Sequence, residues 1–510
     1  MRISGNSRRH GTYASLVMTI LSAIVLASLV GRSGALVPTA AVAHVGTIDP
    51  PEQRILLLPS HAFQQKGRRS LTASTDDDGP SRKRWSQPRM EARPGAVQPD
   101  PVRIADAVRT GVQRLLELQE AAAESAESSE TPDGPRCEWP YECVYKEGGG
   151  PPAAFRVGGT SIVGLALLAA PGLQEDGVRR AALVRAADAV ARLATHERIA
   201  FEHEASGFDV RNWAHCFGLR FLLRMERSGI LPEDRRAPVR AAIERYAGSL
   251  LHTARPGKGG WHYMRIDDVG MRGESSSFLT AHCIIALVEA RDAGVEPLAW
   301  ESPEGTSSVP SYDAIIAKAL DAIESARLPD GFLGYDTRRA GAFGPGHSRR
   351  GMPECMGRRL IADVAAARAG RPDLERARSS LALFRASWED LDAQRGIGGA
   401  HREPFGIAPY YFFFAVTAAA DAARLCPPDE RDAHLAFIRA LVLSIRAPDG
   451  TWNDQDYPGS AAYGTAMSIL ALVDPAASGG GAEQSGADGK AGNGASGPTS
   501  KPAALDRGER

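Results

Sequence analysis

Two kinds of helical pattern alternate along the middle of this chain. In residues 102–120, 177–195, 236–252, 312–327, 374–394 and 431–446, apolar side chains recur every three or four positions with polar ones between them. The last of these sets Leu435, Ile438, Leu441, Val442 and Ile445 on one face, the mark of an amphipathic surface helix. Residues 158–170, 212–225, 278–290, 355–368, 410–423 and 461–473 are instead apolar or small on nearly every face, so they predict helices buried on most sides. The two classes follow one another strictly, and no series of strands or βαβ alternation interrupts them.

The stretch 447–473 shows how one unit is joined. Asp449-Gly450 is a turn signal, because glycine enters positive φ without the Cβ clash other residues meet. Trp452 follows as an apolar plate, Ser460 is placed as an N-cap, and a small-residue helix begins at Ala461. Successive buried helices are about 50 to 80 residues apart, the spacing of a degenerate repeat. Six polar-backed helices outside six buried ones predict an all-α fold, an α6/α6 toroid, which needs no polar end caps because it closes.

The flanks differ in composition. Arg2, Arg8 and Arg9 precede an apolar run over 16–30 and a small-residue site at Ala41-Val42-Ala43, so residues 1–43 read as a secretory signal peptide or, uncleaved, a signal anchor. Residues 44–100 are rich in Pro, Ser, Arg, Gln and Asp and read as a disordered linker. The helical domain spans 101–475, and the Gly/Ala/Ser-rich tail 476–510 reads as disordered low-complexity chain. An exported protein is expected, in periplasm, cell envelope or medium, meeting a membrane only through an uncleaved anchor. The formal charge of −1 supplies no basic footprint for nucleic acid. Six cysteines in 510 residues are too few for a disulfide framework, with Cys137 and Cys143 the local pair that could bond.

The turn segments carry a family likeness. Gln119 with Gly134 and Trp139, Gly259-Gly260-Trp261, Asp330-Gly331-Phe332 and Asp449-Gly450-Thr451-Trp452 each join an outer helix to an inner one. They resemble the Gln…Gly-x-Trp repeats of the squalene cyclase and protein prenyltransferase superfamily, with Phe332 standing for the tryptophan in one copy. The resemblance implies an α/α toroid with a central cavity. It does not bring the family's chemistry. The Asp-x-Asp-Asp acid motif of squalene–hopene cyclases is reduced to Asp454-Gln455-Asp456-Tyr457. No aspartate precedes any cysteine by two positions, as prenyltransferase zinc sites require, and Asp267-Asp268 continues as Val-Gly-Met, not as a diphosphate motif.

Candidate chemistry gathers at the starts of the inner helices. Trp213, His215, Trp261, Tyr263, Tyr410 and Tyr463 are the expected ligand-binding residues, an aromatic cup suited to a lipid, an isoprenoid or a glycan ring. The same rings could equally plug the barrel. Asp209, Glu274, Glu354, Asp454 and Asp456 are the candidate acids, since a carboxyl enclosed by aromatics is held protonated and can donate. Helix-dipole partnering is the plainer explanation for each of them. His215, Cys216, His282, Cys283 and Cys355 are soft ligands, but neighbours on a helix point about 100° apart, so no metal site is expected. The cofactor is unknown. Ligand binding, an atypical cyclase or polysaccharide-active enzyme, and a non-catalytic envelope module all remain open at this level.

Overall fold

The computed structural model describes residues 98–127, 137–141, 151–202, 210–255, 257–263, 275–298, 311–328, 331–335, 352–396, 408, 410–455 and 458–474, all within one unit spanning 74–510. The expectations for the leader, linker and tail, and for Cys143, fall outside these residues. Twelve α-helices are described: α1 Pro101–Glu127, α2 Ala153–Ala169, α3 Gly177–Leu193, α4 Arg211–Ser228, α5 Glu233–Thr253, α6 Ser277–Asp292, α7 Tyr312–Ser325, α8 Met352–Arg368, α9 Leu374–Asp392, α10 Tyr411–Ala423, α11 Pro428–Ser444 and α12 Ala461–Leu472. Among the described residues there is no strand, only an isolated antiparallel bridge between Arg327 and Leu333. The fold is all-α. No described helix is long and apolar enough to cross a membrane.

The even-numbered helices are the buried ones. Every residue of α6 from Ser277 to Ala290 is buried, whereas α7 buries only Ile316, Ala319, Leu320, Ala322 and Ile323 along one face. The packing follows that division. Helix α2 lies against α4, α4 against α6, α6 against α8, α8 against α10, α10 against α12, and α12 against α2. Of the odd helices, α3, α5, α9 and α11 each pack on both even helices next to them in the chain, α7 packs on α6, and α1 packs on α12.

The turns repeat one bond pattern. The indole N–H of Trp139 donates to Leu115 O at 2.7 Å, that of Trp261 to Leu250 O at 2.8 Å, and that of Trp452 to Val442 O at 2.8 Å. Each indole therefore answers a carbonyl of the preceding outer helix; for Leu250 and Val442 it is one of the orphan acceptors that a helix end leaves, whereas Leu115 lies mid-helix. The backbone N–H of the same tryptophans donates to a threonine of the following inner helix: Thr160 at 2.8 Å, Thr280 at 3.0 Å and Thr465 at 3.1 Å. In the fourth turn Leu333, not Phe332, occupies this place. Leu333 is fully buried and its N–H points to Cys355 Sγ at 3.2 Å, so the tryptophan slot lies one residue later than the sequence reading put it.

Two glycines make the last turn possible. Gly450 has φ +90°, the left-handed region closed to most side chains. A Cβ on Gly464 would sit 2.5 Å from Trp452 O, so only glycine lets α12 approach the turn this closely. Ser460 stands at the N-cap position of α12, as expected, but its side chain does not cap the helix. Its hydroxyl bonds Asn453 Oδ1 at 2.5 Å and makes no cap bond, because the turn preceding the helix claims it.

Candidate functional site

The residue two places after each tryptophan slot points to a common region. These residues are Tyr141, Tyr263, Tyr335 and Asp454, three phenols and one carboxyl in equivalent positions. The Tyr141 hydroxyl donates to Asp454 Oδ2 at 3.1 Å, and the Tyr263 and Tyr410 hydroxyls stand 3.4 Å apart. Tyr463, from the first turn of α12, lies with its ring 4.9 Å from that of Tyr141. Tyr141 in turn meets the rings of Phe155, Trp213 and Tyr410 at 5.7, 6.4 and 6.4 Å. All are edge-on contacts, the arrangement that ring quadrupoles favour. The turns and the inner helix starts thus supply one aromatic layer.

Asp454 is the acid of that layer. It is fully buried, and burial raises its pKa to about 7, against the lowering influence of Tyr141, Ser460 and Arg395. Its Oδ2 accepts a hydrogen bond from the Tyr141 hydroxyl, but among the described residues Oδ1 has no partner. Burial also raises the pKa values of Tyr263, Tyr410 and Tyr463, so these phenols stay neutral hydrogen-bonding groups.

Below this layer the inner helices carry stripes at steps of four, three and four residues, which share one helix face. On α4 the stripe is Trp213, Phe217, Arg220, Arg224; on α6 it is Phe278, His282, Ile285, Glu289. Trp213, Phe217, Phe278 and His282 keep 8%, 5%, 3% and 5% of their surface, whereas Ala214, Cys216, Leu219, Ala281, Cys283 and Ile284 keep none. The stripes therefore hold the little exposure these helix starts keep, and the other residues are packed wholly against protein. Phe217 lies 4.9 Å from His282, and Phe414 of α10 lies 4.6 Å from Phe278 and 5.5 Å from His282. At the far end Arg220 reaches Glu289 at 3.3 and 3.4 Å, and Arg224 reaches it at 3.3 Å. Those two guanidiniums outweigh the burial of Glu289 and lower its pKa. The interior thus runs from aromatic at the helix starts to charged at the helix ends.

The expected residues separate into three groups. Trp213, Tyr263, Tyr410, Tyr463 and Asp454 come together in the aromatic layer. Trp261 and His215 do not join it as ligand contacts. The Trp261 indole is fully buried against Leu250 O, and both nitrogens of His215 are taken, Nε2 by Ile199 O at 2.7 Å and Nδ1 by Asn212 Oδ1 at 3.3 Å. His215 also packs on Tyr246 of the outer helix α5, and burial pushes its pKa down to about 3. Both are scaffold residues. Asp209, Glu274 and Asp456 lie outside the described residues; Glu354 is in the first turn of α8, its side chain likewise outside them.

The soft ligands do not converge. Cys216 points to Trp213 O at 3.2 Å, and Cys355 accepts from Leu333 N. Burial raises the pKa of Cys283, which sits beside Cys216, and among the described residues no three His, Cys, Asp or Glu side chains are grouped to hold a metal. Sequence reasoning missed Tyr141, Tyr335, Phe217, Phe414, Arg220 and Glu289. The offset from each tryptophan would have found the two tyrosines. The charged residues inside otherwise apolar helices would have found Arg220 and Glu289.

A separate surface groove of about 790 Å³ runs along α1, between the ends of α2 and α12, lined by Ile104, Val108, Val112, Leu116, Leu472 and Val473 with Arg109, Arg179 and Arg439. It shares no residue with the aromatic layer. No protein-family model matches this chain, and no curated protein matches it.

Proposed function

We propose that the chain is an exported α6/α6 toroid of the squalene cyclase and prenyltransferase repeat type that binds an apolar or ring-shaped ligand, a lipid, isoprenoid or glycan, inside its inner helices. The order of packing, from α2 through the even helices and back from α12 to α2, supports closure. The observation that carries the binding reading is the aromatic layer ending on a buried carboxyl whose Oδ1 has no partner among the described residues. A buried polar atom without a partner costs about 1–3 kcal/mol, a cost a ligand or water relieves. The rings give an apolar body its contacts, and Asp454 gives it one polar anchor.

A second reading is favoured by the protonation of Asp454. An acid with its pKa near 7 in an aromatic surround holds a proton at neutral pH and can deliver it, the arrangement an atypical cyclase would need. The test of binding is native mass spectrometry of the full chain purified without detergent, with solvent extraction of what it carries. A non-covalent apolar adduct, lost in a Tyr463→Ala variant that stays folded, supports the reading. An adduct-free chain that also fails to take up added isoprenoid alcohols and simple apolar alcohols overturns it.

A further inference from the structure

Among the buried polar side chains with unpaired atoms in the described residues, His282 is one that sits amid aromatic rings. It is 5% exposed, sits on the inward stripe of α6, and is walled by the rings of Phe217, Phe278 and Phe414. Among the described residues neither its Nδ1 nor its Nε2 has a hydrogen-bond partner. The contrast with His215, whose two nitrogens are both bonded, is internal to this molecule. Two unanswered nitrogens in one buried ring are unusual, because most buried polar atoms are paired.

We propose that His282 is the hydrogen-bonding anchor for a neutral hydroxyl carried by the apolar ligand, a specificity-determining residue deep in the aromatic interior; the proposal rests on the binding reading above. The chemistry of the ring selects the group. Burial, aided by the charge of Arg220, pushes its pKa down to about 3, so at neutral pH the imidazole carries one N–H donor and one bare acceptor. A hydroxyl both donates and accepts, so it can pair with whichever nitrogen faces it. An ether or a ketone answers only the N–H. An anion is not called for, because the charge of Arg220 is already met by Glu289 at 3.3 and 3.4 Å and by the nearby Asp421. The three phenyl walls supply the contact for the hydrocarbon next to that hydroxyl.

The test uses n-octanol and 1-chlorooctane, chains of equal length of which only the alcohol forms a strong hydrogen bond, titrated into the full chain by calorimetry. The preference of the wild type for the alcohol over the chloride is about tenfold greater than that of His282→Phe, the worth of one net hydrogen bond. His282→Phe keeps an aromatic ring against the same neighbours. His282→Gln, with an amide that donates and accepts, restores part of the preference. Imidazole nitrogen NMR of the wild type shifts at His282 with the alcohol and not with the chloride. A preference left unchanged by His282→Phe overturns the anchor and leaves the apolar interior standing, as it would if a resident water answered His282. Failure of the wild type to bind either compound overturns the binding reading itself.

Discussion

Asp454 offers a measurement whose size follows from its burial. In the unfolded chain its carboxyl titrates near the ordinary value of 3.8, and in the folded protein burial raises that to about 7. A raised folded pKa means that the folded state holds the proton more tightly. The stabilisation is complete below pH 3.8 and is lost as pH rises to 7, with no further change above. Between pH 5 and pH 8 the loss from this one group amounts to about 2.5 kcal/mol. Asp454→Asn removes the titration while keeping an oxygen for the Tyr141 hydroxyl. Urea unfolding of wild type and variant at pH 5 and 8 isolates the effect, because His215 and His282 titrate alike in both proteins and cancel in the difference. The expected result is a variant whose stability relative to wild type improves by about 2.5 kcal/mol between the two pH values. Parallel curves, with a difference constant to within about 0.5 kcal/mol, would mean that the carboxyl is ionised and solvated throughout. The dry-acid argument would then be wrong, and the cyclase reading with it.

Three further outcomes test the frame around the site. Trp452→Phe keeps most of the buried ring but orphans Val442 O, and should cost about 1–3 kcal/mol in urea unfolding; a change below about 0.5 kcal/mol would show that the indole bond is not part of the scaffold. Gly464→Ala places a methyl 2.5 Å from Trp452 O, a backbone atom that cannot swing aside, and should lower stability by about 1–3 kcal/mol or more. An unchanged midpoint would refute the close approach of α12 to its turn. Glu289→Leu leaves the largely buried Arg220 without its carboxylate, while Arg224 is 43% exposed and adds little, so the change should cost about 1–3 kcal/mol. A neutral or stabilising result would show that the Arg220 guanidinium reaches solvent as Arg224 does.

The helices were legible because burial writes itself into periodicity. A face pressed against one neighbour needs apolar residues every third or fourth place, and a helix surrounded by others needs them everywhere. All twelve segments accordingly appear as helices, displaced by a few residues at their ends. The ends are where the pattern is silent. Ser460 has the chemistry of a cap, yet Asn453 captures its hydroxyl, a choice made by a turn and not by composition. The Phe332 error has the same origin. One aromatic residue beside another apolar one satisfies the pattern, and only the bond from Leu333 to Cys355 fixes which of them is in register.

The site is less legible than the frame because equivalent positions need not carry equivalent residues. Tyr141, Tyr263, Tyr335 and Asp454 share an offset from the tryptophan slot, but a phenol and a carboxyl look unrelated until the turns are superposed by their bonds. The inner helices hide their inward stripe for a different reason. When all faces are buried, hydrophobicity no longer distinguishes the face toward protein from the face toward the interior. Polar residues then become the informative ones. On α4 and α6 the histidines 215 and 282 occupy the same early turn with a cysteine after each, and the sequence treats them as a pair. Three-dimensional register divides them: His215 faces α5 and spends both nitrogens on the scaffold, while His282 faces the interior with neither bonded among the described residues. That one difference of helix face separates a structural imidazole from one able to meet a ligand.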